Sequence, residues 1–262
     1  MKLIPKVIHY CWFGGNPLPE LALKCIESWQ KYCPGWTINE WNESNFDIGM
    51  NTYVKEAYQA KKWAFVSDVA RLWVLVTYGG VYMDTDCELV RSIDEFLVHE
   101  AVSGFESPTK IPTALMGCQA GHRLFKQLLL EYDSRCFMMP DGSYDMTTNV
   151  ISITNTLLKH GLILNNTLQT VCDFTLYPTK YFCPKDLTSG KIVFTKYTHA
   201  IHHFDASWLD NQQHKEREFR QLLKSRFGRV LGEKIYVLWF TYTTVGFRGV
   251  LNKIIVKFGI YR

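Results

Sequence analysis

Apolar positions fall into short runs along the chain, and the runs alternate between a spacing near two residues and one near three and a half. Val7 to Phe13 is rich in apolar and aromatic residues, starts just after Pro5 and stops at Gly14-Gly15, which predicts a buried strand. Glu20 to Tyr32 carries Leu21, Cys25, Ile26 and Trp29 at helical spacing. Trp36 to Trp41 predicts a second strand. Ala64 to Tyr78 has the strongest helical pattern, with Ser67 or Asp68 expected near its start and Gly79-Gly80 where a helix stops. Val81-Tyr82-Met83 then predicts a third strand running into Asp84-Thr85-Asp86. Further on, His122 to Tyr132 and Val150 to His160 predict helices, while Ala101 to Phe105, Ile192 to Phe194 and Ala200 to Phe204 predict extended chain. Strands alternating with helices imply an α/β protein, a sheet with helices on its faces. The pattern turns least sheet-like from Arg217 onward, so a boundary is expected near 208 to 216, separating a domain over 1–210 from a helical segment over 211–262.

Composition sharpens this picture. The 262 residues are 47% hydrophobic and 21% charged, with 8 Trp, 14 Tyr and 16 Phe, which supports a buried core and excludes a disordered chain. The eight cysteines form no C-x-x-C pair and no zinc-finger spacing, so buried free thiols are expected. Met1 to Gly15 lacks the apolar run of a secretory signal, and no stretch reaches the roughly 18 apolar residues of a spanning helix. A protein that stays in the cytoplasm is the expectation.

Charge is unevenly placed. The net charge is +4, yet Arg217 to Arg262 holds ten Lys/Arg against Glu218 and Glu233, which leaves −4 for residues 1–216. Within this basic segment Val250, Leu251, Ile254, Ile255 and Phe258 recur at helical spacing, with Lys253 and Lys257 on another face. That is the pattern of a helix lying on an anionic membrane surface, here the inner face of the cell membrane; a helix docked on the protein's own core is the alternative. An acidic body without a nucleic-acid motif argues against a nucleic-acid partner.

The chemistry centres on Asp84-Thr85-Asp86. Two carboxylates two residues apart, just past a strand's C-terminal end, are hard oxygen ligands placed where open α/β sheets bind ligands; they can hold Mg²⁺ or Mn²⁺ beside a phosphate. By itself such a tripeptide has many false positives. Its surroundings add weight: Ser67-Asp68-Val69-Ala70-Arg71 upstream, Gly79-Gly80-Val81-Tyr82-Met83 leading into it, and His9-Tyr10-Cys11-Trp12-Phe13-Gly14-Gly15 near the start.

These elements, in this order, resemble the DXD-type sugar transferases of glycosyltransferase family thirty-two. That family includes bacterial capsular polysaccharide glycosyltransferases, to which the likeness is greatest, and yeast initiating mannosyltransferases; the glucosyltransferase domain of large clostridial cytotoxins is more distant. The likeness covers roughly residues 3–208 and is densest up to 97. It implies a GT-A fold, a Rossmann-like mixed sheet, a nucleotide-diphosphate sugar donor, Mn²⁺ or Mg²⁺, and transfer with retention of configuration. It also implies roles. Trp12 would stack on the nucleotide base; Asp68 would accept hydrogen bonds from donor-sugar hydroxyls; Arg71 would lie near sugar and diphosphate. Tyr82 and Asp84 would contact ribose or sugar, and Asp86 would be the more direct metal ligand.

The segment Ala200 to Trp208 resembles the family's C-terminal His-to-Ser-Trp stretch. There Ser207 and Trp208 would close over the diphosphate. Of the adjacent His202 and His203 one belongs to the metal or phosphate site, and His203 is assigned with Asp84 and Asp86; a pair on a strand puts one side chain on each face, so the other is structural. Glu106, Asp145, Thr148 and Asn149 are polar enough to line an acceptor site. Taken without the resemblance, Asp68 and Arg71 are a local i, i+3 ion pair worth about 0–1 kcal/mol.

The expectation is a retaining glycosyltransferase using UDP-galactose or UDP-glucose, acting on a glycan or lipid-linked acceptor in capsular or exopolysaccharide synthesis. Front-face attack, with the leaving phosphate accepting the proton, suits a site with no assured carboxylate nucleophile. The alternative outside catalysis is a silent carbohydrate-binding or scaffold subunit, which would have had no use for both carboxylates. A dinucleotide oxidoreductase is disfavoured, because Gly14-Gly15 continues as Asn16-Pro17 rather than G-x-G-x-x-G.

Overall fold

The computed structural model describes residues 3–111, 114–186, 190–205, 211–228 and 230–243. In chain order the elements begin with β1 (Val7–Cys11), α1 (Glu20–Tyr32), β2 (Thr37–Trp41), α2 (Thr52–Gln59), α3 (Trp63–Tyr78), β3 (Gly80–Met83) and β4 (Cys87–Leu89). They continue with β5 (Ala101–Gly104), β6 (Leu115–Cys118), α4 (Arg123–Leu130), α5 (Asn149–Lys159), β7 (Gln169–Val171), β8 (Phe174–Tyr177), α6 (Thr179–Phe182), β9 (Ala200–His202) and α7 (Asn211–Phe227). A further helix covers 230–243. Seven strands make one mixed sheet in the order β2-β1-β3-β6-β5-β8-β7, and β4 pairs with β9 in a small second sheet.

This is the Rossmann-like mixed α/β sheet expected of a GT-A fold. Strands β2, β1 and β3 run parallel, so the segments after β1 and β3 leave from the same edge. The chain reverses at β6, which is antiparallel to β3. Ligands bind in the crevice outside the carboxyl ends of parallel strands, which is where Trp12-Phe13-Gly14-Gly15 and Asp84-Thr85-Asp86 emerge.

Side chains alternate faces along each strand, and this sorts the core. Ile8, Tyr10, Val81 and Met83 pack with Cys25 and Trp29 of α1 on one face. Cys11 and Tyr82 pack with Val66, Val69 and Ala70 of α3 on the other. Trp29 is fully buried, and its indole N–H donates to the Cys87 carbonyl at 2.6 Å, so α1 is fastened to β4. Tyr82 meets α3 for the same geometric reason, one residue out of step with Val81.

The turn between α3 and β3 needs glycine. Gly79 and Gly80 have φ of 66° and 99°, and a Cβ would come within 2.7 Å of the Ala120 nitrogen at Gly79 and of the Val7 oxygen at Gly80. Close passage of backbone past backbone therefore fixes both positions.

Two sequence expectations change. Helix α3 begins at Trp63 with Lys62 at its N-cap, so Ser67 and Asp68 sit in the second turn and cap nothing. Ile192 to Phe194 forms no strand: Ile192 makes an isolated bridge to Lys185, and with no neighbouring strand to cover them Val193 and Phe194 are left exposed. All eight cysteines are free, six of them buried, with Cys136 and Cys172 exposed.

The chain divides into two compact units, one of Met1–Lys185 with Ile192–Asp205, the other of Asp186–Lys191 with Ala206–Arg262. In the second unit α7 and helix 230–243 are tied by Arg220 and Lys224 to Glu233, with a 2.9 Å contact from each. Helix 230–243 exposes Val230, Leu231, Val237, Leu238, Trp239 and Phe240. No helix among the described residues is long and apolar enough to cross a membrane. Ser207, Trp208 and the apolar repeat at 250–258 lie outside the described residues.

Candidate active site

Asp68 and Arg71 share one face of α3, and that face lies under the end of β3. Arg71 is buried, and its Nη2 sits 3.5 Å from Asp68 Oδ1 and 3.2 Å from Asp84 Oδ1. Its Nε donates to the Ser67 carbonyl at 3.1 Å, and its guanidinium carbon lies 4.6 Å above the Tyr82 ring. The Tyr82 hydroxyl in turn donates to Asp84 Oδ1 at 3.0 Å. The local i, i+3 pair of Asp68 and Arg71 is present, but it is buried and shared with Asp84. One buried guanidinium bridges two carboxylates from different elements, and in such a site each charge depends on the other.

Electrostatics follow burial. Loss of water pushes the Asp68 carboxyl up to about 6, although Arg71 and the Asn149 N–H pull it down. Burial also raises Asp84, against the pull of Arg71. For Arg71 burial works against the charge, but Asp84, Tyr82 and Asp68 outweigh it and hold the proton more firmly than usual. Arg71 is a fixed cation aimed at the crevice.

Asp84-Thr85-Asp86 is a turn rather than extended chain, closed by the Cys87 N–H on the Asp84 carbonyl at 2.9 Å. Pairing of β4 with β9 sets Cys87 opposite His202 and so carries the histidine pair to the turn. Potential ligand atoms of Asp84, Asp86 and His202 all lie within 4.8 Å of one another. His202 Nε2 is 3.6 Å from Asp86 Oδ2, while its buried Nδ1 has no hydrogen-bond partner and faces Glu106 Oε1 at 4.0 Å. The other Asp86 contacts hold it in place: the Asp205 N–H donates to Oδ2 at 2.8 Å and the His203 N–H to its carbonyl at 3.0 Å.

The histidine assigned from sequence is corrected. His203 points to the opposite side of β9, where its Nε2 lies 2.8 Å from Glu88 Oε2, and Lys24 reaches the same oxygen at 3.3 Å. Strand alternation gives the reason, and it brings His202 rather than His203 to the two aspartates. Hard carboxylate oxygens with one imidazole and an unpartnered buried nitrogen suit a divalent cation.

Trp12 follows β1, half-buried, with its indole N–H donating to the Asn16 carbonyl at 2.6 Å. Beside it opens a cleft of about 650 Å³ lined by Gly14, Gly15, Asn16, Glu43, Tyr58 and Trp63. Glu43 Oε1 accepts from the Gly14 N–H at 2.7 Å and from the Tyr58 hydroxyl at 3.2 Å. Trp63 opens α3, five residues before Asp68, which is about 7.5 Å of helix rise.

Asn149, a candidate acceptor residue from sequence, is buried and holds Asp68 instead. Its N–H donates to Asp68 Oδ2 at 3.0 Å and its side-chain amide to the Asp68 carbonyl at 2.7 Å. The Tyr132 hydroxyl donates to Asn149 Oδ1 at 2.8 Å. Asp145 is likewise spent, paired at 2.6 Å with Arg135, whose guanidinium carbon lies 4.8 Å from the Tyr53 ring centre and 4.5 Å from that of Tyr132. Thr148 sits at the N-cap of α5, and Glu106 stands next to His202. Sequence reading missed Tyr132 and Arg135, which lie 64 residues or more from Asp68 and carry no local motif.

Comparison with known proteins finds a match over part of the chain. Residues 19–103 match the family described as a glycosyltransferase sugar-binding region containing a DXD motif, and this span includes Asp68, Arg71, Asp84 and Asp86. Inositol phosphoceramide mannosyltransferase 3 of Schizosaccharomyces pombe is 29% identical over 134 residues, covering 48% of this chain and 36% of the relative. A mannosyl phosphorylinositol ceramide synthase of Saccharomyces cerevisiae is 29% identical over 136 residues, covering 49% and 35%. The chain thus spans about a third of the length of these curated relatives. Among solved structures, a glycosyltransferase involved in glycosylation of the major capsid of PBCV-1 aligns with a TM-score of 0.44 and 12% identity, over 81% of this chain and all of that one.

Proposed function

We propose that this protein is a metal-dependent glycosyltransferase that moves a hexose from a nucleotide-diphosphate sugar to a glycan or lipid-linked acceptor with retention of configuration. The observation that carries the reading is the arrangement around Arg71. A buried cation, a carboxylate to either side of it and an Asp-Asp-His cluster meet at the carboxyl edge of the sheet, and all of these residues except His202 lie inside the span 19–103 matched to a sugar-binding region.

Breaking a sugar–phosphate bond builds positive charge on the ring and negative charge on the departing diphosphate. Arg71, held by Asp68 and Asp84, presents a fixed positive charge that needs no reorganisation when the leaving group develops its own. Asp84, Asp86 and His202 would hold Mn²⁺ or Mg²⁺, which when bound supplies Lewis-acid stabilisation of the diphosphate. Asp68 uses one oxygen for Arg71 and one for the Asn149 N–H, and a carboxylate has about four acceptor directions, so it retains capacity for donor-sugar hydroxyls. Trp12 and the adjacent cleft would take the nucleoside, the indole offering a flat face for the base. Ser207 and Trp208 are proposed to close over the diphosphate. Among the described residues no carboxylate is placed as an evident nucleophile, which favours front-face attack with the leaving phosphate accepting the acceptor's proton.

UDP-galactose and UDP-glucose are the donors favoured by the likeness of the Trp12 motif to the toxin domains, and the relatives' names add a mannosyl donor to the comparison. The likeness of the sequence motifs to capsular polysaccharide enzymes supports an acceptor in capsule or exopolysaccharide assembly, and the proposed place of action is the cytoplasmic face of the membrane. Trp12→Ala is expected to raise the KM for the donor about tenfold while changing kcat less, because stacking binds ground and transition states alike. Steady-state kinetics over donor concentration check this. A fall in kcat with unchanged KM would remove Trp12 from the nucleoside site.

The basic C-terminal segment is proposed to bind anionic lipid. Exposed apolar residues on helix 230–243 support this reading, as does the excess of Lys and Arg from residue 217 onward. Chain ending at residue 216 is expected to bind anionic vesicles several-fold less tightly than the full chain in a sedimentation assay. Equal binding would return the segment to the role of a core-docked helix.

A further inference from the structure

We propose that the loop before β9, in the first unit and separate from the C-terminal segment, is a second lipid-facing surface that seats on an anionic bilayer through Val193 and Phe194. These two consecutive apolar side chains are each 61% exposed. Single exposed hydrophobics are ordinary on protein surfaces, whereas two large neighbours on a fixed loop are less so.

The loop is held rather than slack. The Val193 N–H donates to the Pro184 carbonyl at 3.1 Å, and the Thr195 N–H donates to the Thr198 hydroxyl at 3.0 Å. The Tyr197 N–H donates to the Thr195 hydroxyl at 3.1 Å, and the Thr198 hydroxyl to the Lys180 carbonyl at 3.0 Å. One residue on, the His199 N–H donates to the Tyr181 carbonyl at 2.8 Å. Backbone and hydroxyl bonds thus fix the turn while both apolar side chains remain outside it, so presenting them costs little further ordering.

Cations gather at Tyr197, three residues after Phe194. Lys180 Nζ lies 4.4 Å from the Tyr197 ring centre, and Lys196 Nζ lies 5.2 Å from it. Arg91 donates to the Lys196 carbonyl, which brings a third exposed cation to the same loop. The nearby acid, Glu95, is turned toward His199 at 3.6 Å. Apolar side chains at the tip, an amphipathic tyrosine three residues on and long cationic chains near that tyrosine match the layering of an anionic membrane interface. An acidic protein partner would be met by the cations alone and would leave the valine and phenylalanine without a role.

The location has a geometric consequence. Eight residues run from Phe194 to His202, at most about 27 Å of extended chain, so a bilayer under this loop would lie within about that distance of the Asp84-Asp86-His202 cluster.

The test uses the full chain and sedimentation with phosphatidylcholine vesicles made with and without phosphatidylglycerol. Val193→Asp with Phe194→Asp is expected to weaken binding to the anionic vesicles about tenfold or more, and Lys180→Glu with Lys196→Glu to do the same. Ile163→Asp with Leu168→Asp, equally exposed elsewhere on this unit, should bind as wild type does. Unchanged melting temperatures would show that all three pairs fold. Wild-type protein that ignores anionic vesicles, or loop variants that bind like wild type, would overturn the proposal. So would a loop variant whose only change is a smaller hydrodynamic size, since that would assign the patch to a protein contact.

Discussion

Asp86→Ala is expected to lower donor turnover by about 1,000-fold or more while leaving the fold largely intact. Lewis-acid stabilisation of a leaving diphosphate is worth several kcal/mol, and each 1.36 kcal/mol is a factor of ten in rate. Asp86 is the residue where that contribution can be removed with least collateral change. Its carboxylate accepts the Asp205 N–H and sits beside His202, but it takes no part in the Arg71 bridge. Asp86→Asn separates the two effects. An amide oxygen can still accept the Asp205 N–H, so stability should stay within about 1 kcal/mol of wild type, yet the anionic ligand is gone and turnover should remain low. Single-turnover kinetics with Mn²⁺, read beside thermal melts, check both halves. An Asp86→Asn enzyme with near-normal rate would show that Asp84 and His202 suffice or that no cation is needed.

Arg71→Met is expected to be the most destabilising single change in the site, by about 3–5 kcal/mol, because it leaves buried carboxylates without their cation. At about 2–4 °C per kcal/mol for domains of this size, the melting temperature should fall by about 10 °C. Arg71→Lys keeps a charge but cannot reach Asp68, Asp84 and the Ser67 carbonyl together, so it should recover only part of the loss. The pH dependence has a definite sign. Asp68 has a folded pKa of about 6, above its unfolded value near 4, so its contribution to stability is present in full below the unfolded value and is lost as pH rises through 6. Removing Arg71 takes away the largest group holding that pKa down. The variant should therefore gain relative to wild type as pH is lowered from about 8 toward about 6. Melts across that range read the effect directly, and a penalty that does not change with pH would place the role of Arg71 elsewhere.

Much of the site was legible in the sequence because its residues lie near one another in the chain. Asp68 and Arg71 share a helix face three residues apart, and Tyr82 lies on the strand that Asp84 and Asp86 directly follow. The predicted bounds of α1 match the observed ones, and the Gly79-Gly80 stop is explained by neighbouring backbone that lies 2.7 Å from where a Cβ would sit. What was not legible depends on pairing between distant segments. Which histidine faces the aspartates is set by the register of β4 against β9, Cys87 opposite His202, and no local pattern carries that information. Asn149 was visible as a polar residue, but its hold on Asp68 spans 81 residues. The β7–β8 hairpin turns at Cys172-Asp173, both with positive φ, without the Asn-Gly signal that usually marks such a turn. Strand β4, three residues long, is too short to show a period. Helix α2 did leave a signal that went unread, an Asn51 cap whose side chain accepts the Val54 N–H at 2.9 Å.

The central claim, transfer chemistry at the Asp84-Asp86-His202 cluster, is tested most directly by release of free nucleotide diphosphate. A panel of UDP-galactose, UDP-glucose, their N-acetyl forms and GDP-mannose would be offered to wild type and Asp86→Ala, with Mn²⁺ or with chelator, and with a lipid-linked acceptor supplied in parallel. The account predicts turnover of one donor by wild type, dependent on Mn²⁺ and lost in the variant. Equal release by both proteins, or no binding and no turnover of any donor with acceptor present, would contradict it.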